Sequence, residues 1–206
     1  MHVDLRSTAL LVLDLQRDLL DADGIFARNG MALARARAVV PVVIEVAQAS
    51  RACGIAIFAS KFTVFTSPSG RPLGAEPLLT ALPFLARDGF RLGEPGRELV
   101  AGLPAPDYAL DKPRFSAFHG TSLELLLSAL EIRTLILTGV VSAVEATTRD
   151  AILRSFHAVV LEDCVAAVGA DAGATLPRAL TADVTVTDSA AYLHALSRQS
   201  PGAPGA

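Results

Sequence analysis

Residues 134–151, TLILTGVVSAVEATTRDA, constrain the fold more than any other stretch of this 206-residue chain. The run 134–137 is short, apolar and β-branched, with no polar alternation. Such a run predicts a strand buried on both faces, as in a parallel sheet. Thr138 and Gly139 end it, and a helical pattern follows from about Val144, with Thr147, Asp150 and Ala151 on successive turns. A strand that turns at once into a helix brings unpaired N–H groups and the positive end of the helix dipole to the sheet's carboxyl edge. Ligands of open α/β sheets bind at that edge. The electrophile-handling part of an active site is therefore expected here.

The same alternation runs along the chain. Strands are predicted at 9–13, 55–59, 108–110, 134–137, 158–161 and 184–187. Helices are predicted at 31–53, 122–130, 144–156, just after Asp163, at 172–180 and at 189–196, with a short one at 95–101. In the first of these, Val39, Val43, Val46 and Ala47 recur at three and four. Pro41 either kinks that helix or marks a start, and Gly54 closes it. Thr121 with Glu124 has capping-box spacing, and Ser189 is the expected cap of the last helix. Alternating strands and helices predict an α/β fold: a three-layer α/β/α sandwich around a six-stranded parallel sheet, doubly wound. One domain is expected over 1–198, with a disordered, low-complexity tail at 199–206. Residues 61–107 hold seven of the twelve prolines and read equally as a lid, a substrate-binding segment or a plain surface excursion.

Bulk properties exclude several functions. A net charge of −3 without a dense basic cluster argues against a nucleic-acid partner. No apolar run reaches the roughly 18–20 residues that span a bilayer. Asp14 interrupts the first apolar run, so no signal peptide is expected, and a cytoplasmic protein is. Two cysteines, Cys53 and Cys164, make no disulfide framework.

Charged groups stand where the predicted strands finish: Asp14, Lys112 and the Glu162–Asp163 pair. A desolvated charge needs a partner, and Asp14 with Lys112 is the natural pair. It reads either as a base held beside an ammonium or as a structural salt bridge. No GxGxxG, P-loop or GxSxG motif occurs. His2, His119, His157 and His194 are scattered without metal-ligand spacing. No metal and no other cofactor is expected, and the partner is a small-molecule substrate.

Taken together, TALLVLDLQRDLL (8–20), DKPRFSAFHGTSLELLL (111–127), TLILTGVVSAVEATTRDA (134–151) and VVLEDCVAA (159–167) resemble the isochorismatase-like hydrolase superfamily of cysteine hydrolases. The resemblance spans roughly residues 7–197. It implies the aspartate role for Asp14 and the lysine role for Lys112, alongside a cysteine nucleophile that forms a thioester. It also implies an oxyanion loop at Gly139, Val140 and Val141, with a cis peptide between the two valines. The nucleophile itself does not carry over. The turn is two residues shorter than the family's, so its cysteine position falls on Ala143 or Glu145.

Three readings stay open at this point. Ser142 could present a hydroxyl near Asp14; Asp14 with Lys112 could suffice for vinyl-ether hydrolysis; or the chain could be a binding relative without catalysis. Residues 60–72, SKFTVFTSPSGRP, lack the Asp-x-His of zinc-binding nicotinamidases. The segments 91–100 and 112–121 are more similar to the ureido, carbamoyl and isochorismatase branches. Arg114 fits either a substrate oxygen or a surface role. Phe62, Phe115 and Phe118 fit either a pocket wall or core packing, and His119 could touch a substrate. The resemblance also implies assembly as a homodimer or homotetramer.

Overall fold

The computed structural model describes residues 3–74, 76–168 and 184–199. Among them a six-stranded sheet has the order β5-β2-β1-β6-β7-β8. Its strands are β1 (Thr8–Leu13), β2 (Ala56–Phe62), β5 (Tyr108–Lys112), β6 (Thr134–Val140), β7 (His157–Ala166) and β8 (Thr185–Thr187). Every pairing in it is parallel. Two short strands, β3 (Phe65–Thr66) and β4 (Pro72–Leu73), form a separate antiparallel ribbon. All six residues of β1 are buried. Alternation sends Leu10 and Val12 into one core and Ala9, Leu11 and Leu13 into the other.

The first core is covered by α4 (Val40–Ala52) and α8 (Ser189–Ser197). The second is covered by α6 (Leu123–Ala129) and α7 (Val141–Leu153). Helices on both faces make the sheet doubly wound, as expected. Chain order reverses between β1 and β6, which defines the switch point where such sheets open a crevice. Short helices α1 (Arg17–Leu20), α2 (Ile25–Arg28), α3 (Ala34–Ala38) and α5 (Glu76–Ala81) lie between the main elements.

Several sequence expectations need correction. The helix expected over 31–53 is two helices, α3 and α4, and Pro41 sits in the first turn of α4, where its missing N–H costs nothing. The expected helix at 95–101 is a single 3₁₀ turn, Pro95–Arg97. The helix expected from Val144 begins at Val141, because β6 runs on to Val140 with no intervening loop. No helix follows Asp163: β7 continues through it to Ala166 after a register irregularity opposite Leu137–Gly139. Asp163 is instead spent on Ser189, accepting its N–H at 2.8 Å and its hydroxyl at 2.5 Å. The cap of α8 is Asp188, which accepts from the Ala191 N–H, so Ser189 is the first helical residue. Ser122 occupies the N-cap of α6 with no side-chain bond, and Thr121 Oγ1 accepts from Leu123 N at 3.1 Å. Glu124 binds Arg154 rather than closing a capping box. The expected helix at 172–180 and all but the first residue of the expected tail lie outside the described residues.

Candidate active site

Leu13, the last residue of β1, is level with Ser60 of β2 and with Gly139 of β6, near the carboxyl ends of all three strands. Gly139 has φ 116°, and a Cβ there would collide with the backbone N and O of Leu13. Only glycine lets β6 press this closely on β1. The next residue of β1's path, Asp14, has φ 60°. A left-handed conformation costs a non-glycine residue about 1–2 kcal/mol, and Asp tolerates it better than most. Its N–H still bonds Ser60 O at 3.1 Å, so the turn redirects the side chain without breaking the ladder.

The Asp14 carboxylate is buried, 6% exposed, and both oxygens are engaged. Oδ1 accepts from Ser60 Oγ at 2.7 Å, and Oδ2 accepts from Lys112 Nζ at 2.6 Å. Lys112 is the last residue of β5 and is 0% exposed. Its two other protons go to the carbonyls of Arg114 and Phe115, each at 2.9 Å. Burial pushes this ammonium below its ordinary value of 10.5, and the charge of Asp14 opposes that shift. Alternation along β5 turns the preceding residue, Asp111, outward to Arg97. Adjacent charges on one strand thus serve opposite faces.

The loop supplying those two carbonyls is tied to α7. Ser116 Oγ donates to Asp150 Oδ2 at 2.5 Å, and Ala117 N donates to Thr147 Oγ1 at 3.0 Å. Gln16 plays a similar part on the other side. Its amide accepts from Phe62 N at 2.8 Å and donates to Phe62 O at 2.9 Å and Arg97 O at 2.7 Å.

A cavity of about 280 Å³ opens over Asp14. Val140 and Ser142 line it, which places the start of α7 against it, and Val140 caps that helix with no side-chain acceptor. The first-turn N–H groups of α7 therefore lack intrahelical partners on the cavity side. The rest of the wall is apolar: Leu19, Phe26 and Met31 from the segment after β1, Phe62, Leu78, Ala81, Leu82, Leu85 and Phe90 from 61–107, with Phe115 and Val168. The irregular segment is thus a cavity wall, not a plain excursion.

Other sequence candidates fall elsewhere. Ala143 is 0% exposed and packs into the second core, so it faces away from the cavity. Glu145 pairs with Arg149 one turn on, at 3.0 Å. Arg114 contributes its carbonyl, while its guanidinium lies near Gly74 and outside the cavity lining. Phe118 stacks against Phe156 and Arg154 in the second core, because the 113–118 loop turns it beneath α7. His119 is exposed and does not line the cavity. The described residues contain no cis peptide, so the expected cis bond between Val140 and Val141 is absent; Val140, at φ −75° and ψ 131°, leads by a trans bond into the helix.

Neither cysteine lines the cavity. Cys164 is 0% exposed, and burial, with the neighbouring charge of Asp163, pushes its thiol above the ordinary range. Cys53 caps α4 beside the first core. Ser60 was not singled out in the sequence. Its signal there is a hydroxyl at the end of an apolar strand run, one position beyond the last residue expected to be β.

These features define an open parallel α/β protein with a buried carboxylate–ammonium pair at its switch point. The isochorismatase domain model matches residues 8–191, and the chain belongs to that family. It is 30% identical over 179 residues to the ureidoacrylate amidohydrolase RutB of Methylorubrum extorquens, covering 81% of this chain and 72% of that protein. It is 30% identical over 177 residues to the enzyme of the same name from Pantoea ananatis, covering 80% and 71%. Among solved structures, a cysteine hydrolase from Pseudomonas syringae pv. phaseolicola superposes with TM-score 0.79 at 22% identity, covering 96% of both chains. The N-carbamoylsarcosine amidase of Thermoplasma acidophilum gives 0.69 at 23% identity, covering 89% and 96%. At such identities the structural likeness shows the fold alone.

Proposed function

We propose that this chain is a hydrolase of the isochorismatase-like class, acting on a small amide, ureido, carbamoyl or vinyl-ether substrate. Asp14 is its general acid/base and Lys112 the charge partner. The observation that carries this reading is the 2.6 Å contact between the two groups at the foot of the cavity. Names of relatives that include ureidoacrylate amidohydrolase support the amide and ureido side of it.

For an amide the steps balance as follows. Asp14 takes a proton from a water held in the cavity, and the resulting hydroxide adds to the carbonyl carbon. The first-turn N–H groups of α7 receive the developing oxyanion. The C–N bond then breaks, and the proton on Asp14 passes to the leaving nitrogen. The products are an acid and an amine. Lys112 stays charged throughout and fixes the carboxylate between its own ammonium and Ser60.

A binding role without catalysis is favoured by one observation: no thiol lines the cavity. The two readings separate with a panel of amides, ureido compounds, N-carbamoyl compounds and enol ethers. Asp14→Asn, which keeps the side chain's shape, should lower kcat/KM by roughly 10²–10⁴-fold, and alkylating Cys53 and Cys164 should leave turnover intact. If no class of compound turns over while ligands still bind, the hydrolase reading fails. Loss of activity on alkylation alone would restore a cysteine mechanism.

A further inference from the structure

We infer that the substrate is a carboxamide with an uncharged apolar body, aromatic or branched aliphatic, and that carboxylate-bearing amides are excluded. The inference rests on the hydrolase reading above and concerns the same cavity. Among the described residues, the polar side chains of its lining are Asp14, Gln16 and Ser142, and the α7 N–H groups are taken by the amide's own oxygen. Gln16 has nothing to offer a ligand's charge, since its amide is already bonded on both ends to the backbone of Phe62 and Arg97. Ser142 offers a neutral hydroxyl. Among the described residues the one charged side chain in the lining is therefore Asp14, already compensated by Lys112, so none of them offers a free cation to a ligand's carboxylate.

The nearby cations are already paired. Lys112 is 0% exposed, and its three protons are committed to Asp14, Arg114 O and Phe115 O. Arg97 is spent on Thr63, Glu98 and Asp111, and Lys61 on Glu98. The guanidinium of Arg114 lies outside the lining. The lining also holds four phenylalanines, Phe26, Phe62, Phe90 and Phe115. Phe26 and Phe62 each meet the Phe90 ring edge to face, with centroids 5.9 and 5.5 Å apart. Such a wall binds a ring or branched chain by desolvation and gives a carboxylate no partner. A volume of about 280 Å³ is at the small end of ligand pockets, about 300–1,000 Å³, and suits one ring or a short branched chain with its amide.

The test compares matched pairs on the unmodified full chain: benzamide against 4-carbamoylbenzoate, and isovaleramide against succinamate. The neutral member of each pair should have a kcat/KM at least about 100-fold higher. Ala81→Arg places a cation at an exposed position of the wall and should narrow that gap by about tenfold or more. Equal or faster turnover of the carboxylated members by the unmodified chain would overturn the inference. If neither member of either pair turns over, the broader panel above decides the hydrolase reading, and calorimetric binding decides this inference. Benzamide bound with 4-carbamoylbenzoate excluded upholds the apolar site; the reverse, or binding of neither, overturns it.

Discussion

The floor and the wall of the cavity are built on different physical terms. The floor is the carboxyl edge of the sheet, where Asp14, Ser60 and Lys112 come from three neighbouring strands or their ends and every donor of the ammonium is used. The wall is largely the irregular 61–107 segment, with side chains such as Leu78 and Leu82 only partly buried. A saturated polar group gains its geometry from directional bonds and tolerates no substitution. An apolar wall is held by area and tolerates changes of shape. Chemistry is thereby separated from selectivity: the floor fixes what reaction is available, and the wall fixes which molecule reaches it.

That contrast is sharpest at Lys112. Lys112→Met leaves the Asp14 carboxylate buried without its partner, and should destabilise the protein by about 3–5 kcal/mol, read by urea unfolding, with activity abolished. In the unmodified protein the alkaline limb of the pH–rate profile should lie below 10.5, because burial lowers the ammonium's affinity for its proton. Below that limb Lys112 is charged and the pair is intact; above it the carboxylate loses its counter-charge and rate falls. A limb at or above 10.5 would mean that Lys112 does not govern the chemistry.

A smaller effect is expected one layer out. Asp150→Ala frees Ser116, and with it the loop whose carbonyls hold Lys112. It should lower kcat by about tenfold with KM little changed, and move the alkaline limb, which a merely stabilising contact would not do. The smallest effect belongs to the wall: Leu82→Ala should raise KM for a neutral amide by about 3–10-fold at nearly constant kcat. A kcat loss at Leu82 as large as that at Asp150 would erase the division between floor and wall.

The floor was far more legible in the sequence than the wall. Asp14 and Lys112 announce themselves as charges that stop apolar runs, and a buried charge demands an opposite one. Gly139 is legible too, as the break between a strand and a helix. By contrast Phe62, Phe115 and Phe118 read alike in the sequence, as pocket wall or core packing, yet the first two line the cavity and Phe118 packs in the second core, since alternation along a loop has no fixed period to say which way a ring turns. Leu78, Leu82, Leu85 and Phe90 gave no signal, because a wall assembled from turns carries neither the two-residue nor the 3.6-residue repeat. The helix expected after Asp163 failed for a related reason. A ten-residue strand with an irregularity in its middle reads as two separate elements.

The 2.6 Å contact joins residues 98 positions apart, and β1 completes its hydrogen bonding only when β6 docks on its far side. No early fragment of the chain can possess the charged pair in its native setting. Loop-closure entropy over that separation makes such pairings slow. A newly made chain therefore acquires its chemistry near the end of folding, and the appearance of turnover in a refolding experiment should trail the recovery of helical signal.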